Sequence, residues 1–152
     1  MNTKIVNSTG YAKHNEQFVV KTENFNVRFN KNQNHPDLDA PSPIEYILAG
    51  YAGCIHAIGI LVAKESNFDL KSLQVDILGE INVDKFLGNP TSERAGFKTI
   101  KVLVKPIADA TTEELQNWLK LVESRCPVYD NLSNPTPIQV SLVNEFESVE
   151  TI

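Results

Sequence analysis

The run Pro41-Ser42-Pro43-Ile44-Glu45-Tyr46-Ile47-Leu48-Ala49-Gly50-Tyr51-Ala52-Gly53-Cys54-Ile55-His56-Ala57-Ile58-Gly59-Ile60-Leu61-Val62-Ala63-Lys64 decides the fold. It reads as one long helix. Ser42 suits the N-cap, and Pro43 sits at the first helical position, where a missing N–H costs nothing. Glu45, three residues after Ser42, completes an S-x-x-E capping box. After Glu45 almost every residue is apolar or small. A helix that is apolar all round must be covered all round. Tyr46 to Ala63 is 18 residues without a formal charge, which touches the length of a membrane span. Its three glycines, two tyrosines and His56, and its isolation among amphipathic strands, favour a helix buried in a soluble domain. No membrane partner is expected.

Upstream, Lys4-Ile5-Val6, Gln17–Lys21 and Phe25–Phe29 read as short strands, with Thr22-Glu23-Asn24 as a hairpin turn. Asn30 to Pro41 is a polar loop. Downstream, Leu73, Val75, Ile77, Gly79, Ile81 and Val83 alternate with mostly polar residues through Asp84, the period of a half-buried strand. Phe86 to Gly96 is a turn region. A second strand follows at Phe97 to Lys105. Thr111 and Glu114 open another helix with the same capping box. Its stripe is Leu115, Trp118, Leu119 and Val122. Arg125-Cys126-Pro127 ends or re-aims it, because a residue before proline is biased away from the α region. Asp130 to Pro137 reads as loop, and Ile138, Val140 and Leu142 as a closing strand.

The expectation is a single domain over residues 1–152, of the α+β class, with mainly antiparallel sheets around a long central apolar helix. One sheet covers one side of that helix. Gly50, Gly53 and Gly59 would let another backbone approach the other side, so a homodimer that buries the helix is the economical arrangement. A net charge of −5 argues against nucleic acid as a partner. The N-terminus shows no apolar signal-peptide region, and two cysteines 72 positions apart make no secreted disulfide framework. A cytoplasmic chain with reduced thiols is expected.

Cys54 and Cys126 are the candidates for chemistry. An attacking cysteine needs thiolate character and access, and a second cysteine can trap its oxidised form as a disulfide. From composition alone, two inert buried thiols are the better fit. Cys54 lies too far along its helix for the N-terminus to lower its pKa, so activation needs a cation or donor from elsewhere. Arg125, Arg28 and Lys13 are candidates, and each also reads as an ordinary solvated residue. Glu45 could orient a thiol, but its cap explains it. His56 reads as a satisfied buried or interfacial histidine, and His14 and His35 as solvated.

The stretch from Pro41 to Cys54, followed by Cys126-Pro127-Val128, Leu132 and Pro137-Ile138, resembles the OsmC/Ohr family of osmotically inducible and organic hydroperoxide resistance proteins. The resemblance implies an intertwined homodimer with sites at its interface. It implies that Cys54 attacks a peroxide and becomes a sulfenic acid. Cys126 then resolves it as a disulfide, and a dithiol such as a lipoylated protein restores the pair. No metal or cofactor is implied. Two departures stand out. The family's peroxidases carry a glutamate ten residues before the reactive cysteine, where this chain has Ile44, with Glu45 next to it. Their arginine comes from an early turn that here reads Thr9-Gly10-Tyr11-Ala12-Lys13-His14. The readings left open are a peroxidase, a protein of the same fold that binds a small apolar ligand or senses redox state without turnover, and a structural dimer with inert thiols.

Overall fold

The computed structural model describes residues 3–12, 17–29 and 40–143. A small antiparallel sheet comes first, in the order β1 (Thr9–Tyr11), β2 (Val19–Lys21) and β3 (Asn26–Arg28). The long helix α1 (Pro43–Glu65) follows. Next are β4 (Leu70–Ile81), a short helix α2 (Asp84–Leu87) and β5 (Phe97–Ala108). The described chain then runs through α3 (Thr112–Arg125) and α4 (Pro127–Ser133).

α1 starts as its sequence requires. Ser42 Oγ accepts the Glu45 N–H, and the Glu45 carboxylate accepts the Ser42 N–H at 2.7 Å. α1 packs on the β4–β5 hairpin and on α3. The hairpin pairs Val75 with Val104, Ile77 with Val102 and Gly79 with Ile100, and these residues form the face that packs toward the helix. α3 adds Trp118 and Val122, both fully buried. Trp118 can lie against α1 because Gly59 has no side chain there, since a Cβ would sit 2.9 Å from Trp118 Cζ2. The indole N–H donates to the Gly59 carbonyl at 2.8 Å, so a buried polar atom is satisfied where the two helices touch.

The other side of α1 is bare. Gly50, Gly53, His56, Ala57, Ile60 and Leu61 are exposed along one stripe, and at Gly50 and Gly53 an added Cβ would meet nothing within 4 Å. The small sheet is joined to the start of α1 by Tyr46. Its hydroxyl donates to the Arg28 carbonyl at 2.9 Å, and its ring lies 4.9 Å from that of Phe29.

Several expectations are corrected. Lys4-Ile5-Val6 forms no strand, and β1 begins at Thr9, because Ile5 and Val6 find nothing to pack on and stay exposed. The strand expected to run through Asp84 ends at Ile81. There the Asn82 side chain accepts the Asp84 N–H at 2.8 Å and turns the chain into α2. The loop expected over Asp130 to Pro137 is helical through Ser133. Cys126 is its N-cap and Pro127 its first residue, the same cap-then-proline signal that opens α1. Ile138, Val140 and Leu142 belong to neither sheet and are 82, 90 and 93% exposed. Their alternation is that of a strand, but a strand needs an edge to pair with. His56 is exposed in the single chain.

Candidate functional site

Cys126 stands at the corner between α3 and α4. Pro127 denies it a helical backbone, so α3 stops and the chain turns. The turn aims the thiol at α1. Cys126 Sγ lies 2.8 Å from Cys54 Sγ, and both are free cysteines. The Cys126 thiol donates to Cys54 Sγ and accepts the Tyr129 N–H at 3.4 Å. Cys126 is buried, while Cys54 is half-buried among the core residues of α1 and α3. Burial pushes the Cys126 thiol above its ordinary pKa, and the bond to Cys54 adds to this; the Tyr129 and Val128 N–H groups oppose it.

Two spaces lie nearby, and the smaller one reaches Cys126. A cavity of about 80 Å³ has Cys126, Tyr51, Ile55, Leu119, Val122 and Glu123 among its walls. A larger groove of about 460 Å³ runs between α1, β5 and α4. Ile47, Ile100 and Leu132 give it apolar walls, and Arg94 and Lys98 give it positive charge. Tyr51 and Val102 line both spaces. The Tyr51 ring stacks on Tyr129 with centroids 6.2 Å apart. Burial is the main reason its phenol is pushed up to about 12, with the charge of Cys126 next.

The supporting candidates are placed elsewhere. Glu45 is engaged by Ser42 in the capping box, and those hydrogen bonds hold its carboxyl below the usual range. Arg125 grips the Glu65 carboxylate with both guanidinium nitrogens, an exposed fork between the ends of α3 and α1. Arg28 lies on β3, where its carbonyl serves Tyr46. Ile44 lines a separate apolar groove with Ile81, Val83 and Phe86. Lys13, His14 and His35 lie outside the described residues.

Sequence reasoning missed Tyr51, Tyr129 and Arg94. Tyr51 was findable, because it precedes Cys54 by three residues and shares its helix face. Tyr129 follows once Cys126 is seen as a cap, since the third residue of the helix donates to the cap. Arg94 lies in an aperiodic connection and had no signal.

Together these features define a class: an α+β domain whose central helix presents one cysteine to another at a Cys-Pro helix corner. The OsmC-like protein family matches residues 34–141, and the chain belongs to that family. An OsmC-like protein from Mycoplasma pneumoniae superposes with a TM-score of 0.75 at 19% identity, covering 87% of this chain and 89% of that one. An organic hydroperoxide resistance protein from Elizabethkingia anophelis gives 0.60 at 22% identity, with 88% and 91% covered. One from Legionella pneumophila gives 0.60 at 15%, with 87% and 91% covered. At these identities the likeness is one of fold. No curated protein matches the chain by sequence.

Proposed function

We propose that this protein is a thiol-dependent peroxidase that reduces organic or hydrogen peroxides. The observation that carries the reading is the 2.8 Å approach of two free cysteine sulfurs. The Cys54 thiolate attacks the terminal peroxide oxygen, the O–O bond breaks, and an alcohol or water leaves once its oxygen is protonated. Cys54 is then a sulfenic acid. The Cys126 thiol attacks its sulfur, water departs, and the two cysteines are joined. An external dithiol, such as a lipoylated protein, reduces the pair by exchange. The organic hydroperoxide resistance proteins of the same fold support a peroxide-related role.

The working form in this reading is a cytoplasmic homodimer. The bare stripe of α1 supports it, with Ile60 half exposed and two glycines open to a neighbouring backbone. The exposed alternation of Ile138, Val140 and Leu142 supports it too, as a strand that would pair in the dimer.

The test supplies peroxide and dihydrolipoamide to the purified protein. Consumption should require Cys54, and Cys126→Ser should leave a sulfenic acid that over-oxidises with excess peroxide. If the unaltered protein consumes no peroxide with any dithiol, the proposal fails. A second reading, binding of a small apolar ligand without turnover, is favoured by the groove walled by Ile47, Ile100 and Leu132. It requires ligand-dependent thermal stabilisation that survives Cys54→Ser.

A further inference from the structure

We propose that Tyr51 is the proton donor to the departing peroxide oxygen, an inference that rests on the peroxidase reading. Tyr51 lies one helical turn before Cys54, on the same face of α1. It is 6% exposed. A tyrosine buried to that degree normally gives its O–H a partner. Here the hydroxyl makes no hydrogen bond among the described residues. Yet no side-chain polar atom among them is both sealed and unpartnered. The oxygen is therefore not sealed, and Tyr51 lines two spaces onto which it can open. Those are the small cavity with Cys126 in its wall and the groove where a substrate body would lie. The other residue common to both, Val102, is apolar. An unpartnered O–H donor thus belongs to a residue that lines both the groove and the cavity walled by Cys126.

The neighbouring groups leave this role to Tyr51. Arg94 lines the groove, but a guanidinium donates hydrogen bonds without giving up a proton. Lys98 is held by Glu93 at 2.8 Å and lies near Glu80. Glu123 in the small cavity is an acceptor when ionised. Tyr129 lines the groove but not the small cavity. The Cys126 proton already points at Cys54.

The step balances. The Cys54 thiolate forms a bond to the terminal oxygen, and the O–O bond breaks with its electron pair on the other oxygen. Tyr51 gives that oxygen its proton, so the products are a sulfenic acid, an alcohol and a phenolate. An alkoxide is a stronger base than a phenolate, so the transfer runs downhill. The phenolate then takes the Cys126 proton, which that thiol must lose to attack the sulfenic sulfur. The hydroxide that leaves Cys54 takes a proton from solvent and becomes water. The raised pKa of Tyr51 keeps the phenol protonated at neutral pH and makes its anion a competent base for that thiol.

Tyr51→Phe keeps the ring and its stacking and removes the hydroxyl. The assay follows sulfenic acid formation at Cys54 by stopped flow, with a series of alkyl hydroperoxides and one peroxyacid. The carboxylate leaving from a peroxyacid needs no proton. We expect the variant to react ~100-fold more slowly with alkyl hydroperoxides, the range of general acid catalysis, and to be little changed with the peroxyacid. A merely structural role for Tyr51 would slow both classes together, and that result overturns the proposal, as does an unchanged rate with alkyl hydroperoxides. If Tyr51→Phe does not fold, the unaltered protein still decides the matter. It should show a solvent deuterium isotope effect with alkyl hydroperoxides and none with the peroxyacid; equal effects overturn the assignment. An unaltered protein inert to every peroxide would instead remove the peroxidase reading itself.

Discussion

Joining Cys54 to Cys126 should raise the thermal stability of the protein sharply. The sulfurs lie 2.8 Å apart and a disulfide needs about 2.05 Å, so the bond closes by side-chain movement with little backbone strain. The two residues are 72 positions apart, so the cross-link removes a large loop from the unfolded ensemble. On the chain-entropy account this is worth ~4 kcal/mol. For a chain of 152 residues that corresponds to a rise in Tm of about 10 °C. The experiment treats reduced protein with one equivalent of peroxide, confirms the disulfide by mass spectrometry without reductant, and compares Tm before and after by calorimetry. Cys54→Ser should show no rise. If the disulfide forms completely and Tm falls or stays the same, the α1 and α3–α4 corner do not meet as described. The oxidised state would then have to rearrange the fold around the thiols.

Ser42→Ala removes the cap of α1 and should cost about 1 kcal/mol in urea unfolding. Gly59→Ala would ordinarily stabilise a helix by roughly 0.5–1 kcal/mol. Here the new Cβ meets Trp118 at 2.9 Å, and the overpacking cost of ~1–3 kcal/mol should make the variant less stable; a stabilised variant would show that Trp118 does not sit there. The raised pKa of Tyr51 carries a definite sign in pH. The folded state holds the proton more tightly, so its contribution is fully present below pH 10 and is lost as pH rises toward about 12. Unfolding in urea over this range should therefore show a decline that Tyr51→Phe lessens.

Much of this was legible along the chain because it depends on local rules. The capping box at Ser42 and Glu45 fixed where α1 begins, and its carboxylate is spent there. The stripe on α3 named Trp118 and Val122 as core. The alternation on β4 named its inner face, although Asn82 rather than the hydrophobic pattern set its end. At Cys126-Pro127 one signal serves two helices, because the proline that ends α3 is also the first residue of α4 behind its Cys126 cap.

The sequence by itself determined the long apolar helix at Ser42, where it starts and that it carries Cys54, since capping and periodicity act within a few residues. It could not determine that Cys126 reaches Cys54 across 72 positions, because that contact depends on the angle at which α3 and α4 meet over α1. Nor could it show that Arg125 belongs to Glu65, or that Tyr51 lines both groove and cavity. Those facts arise only when packed elements bring distant side chains to one place. Among the described residues one face of α1 is exposed while the other is buried, a division the uniformly apolar sequence of the helix does not mark.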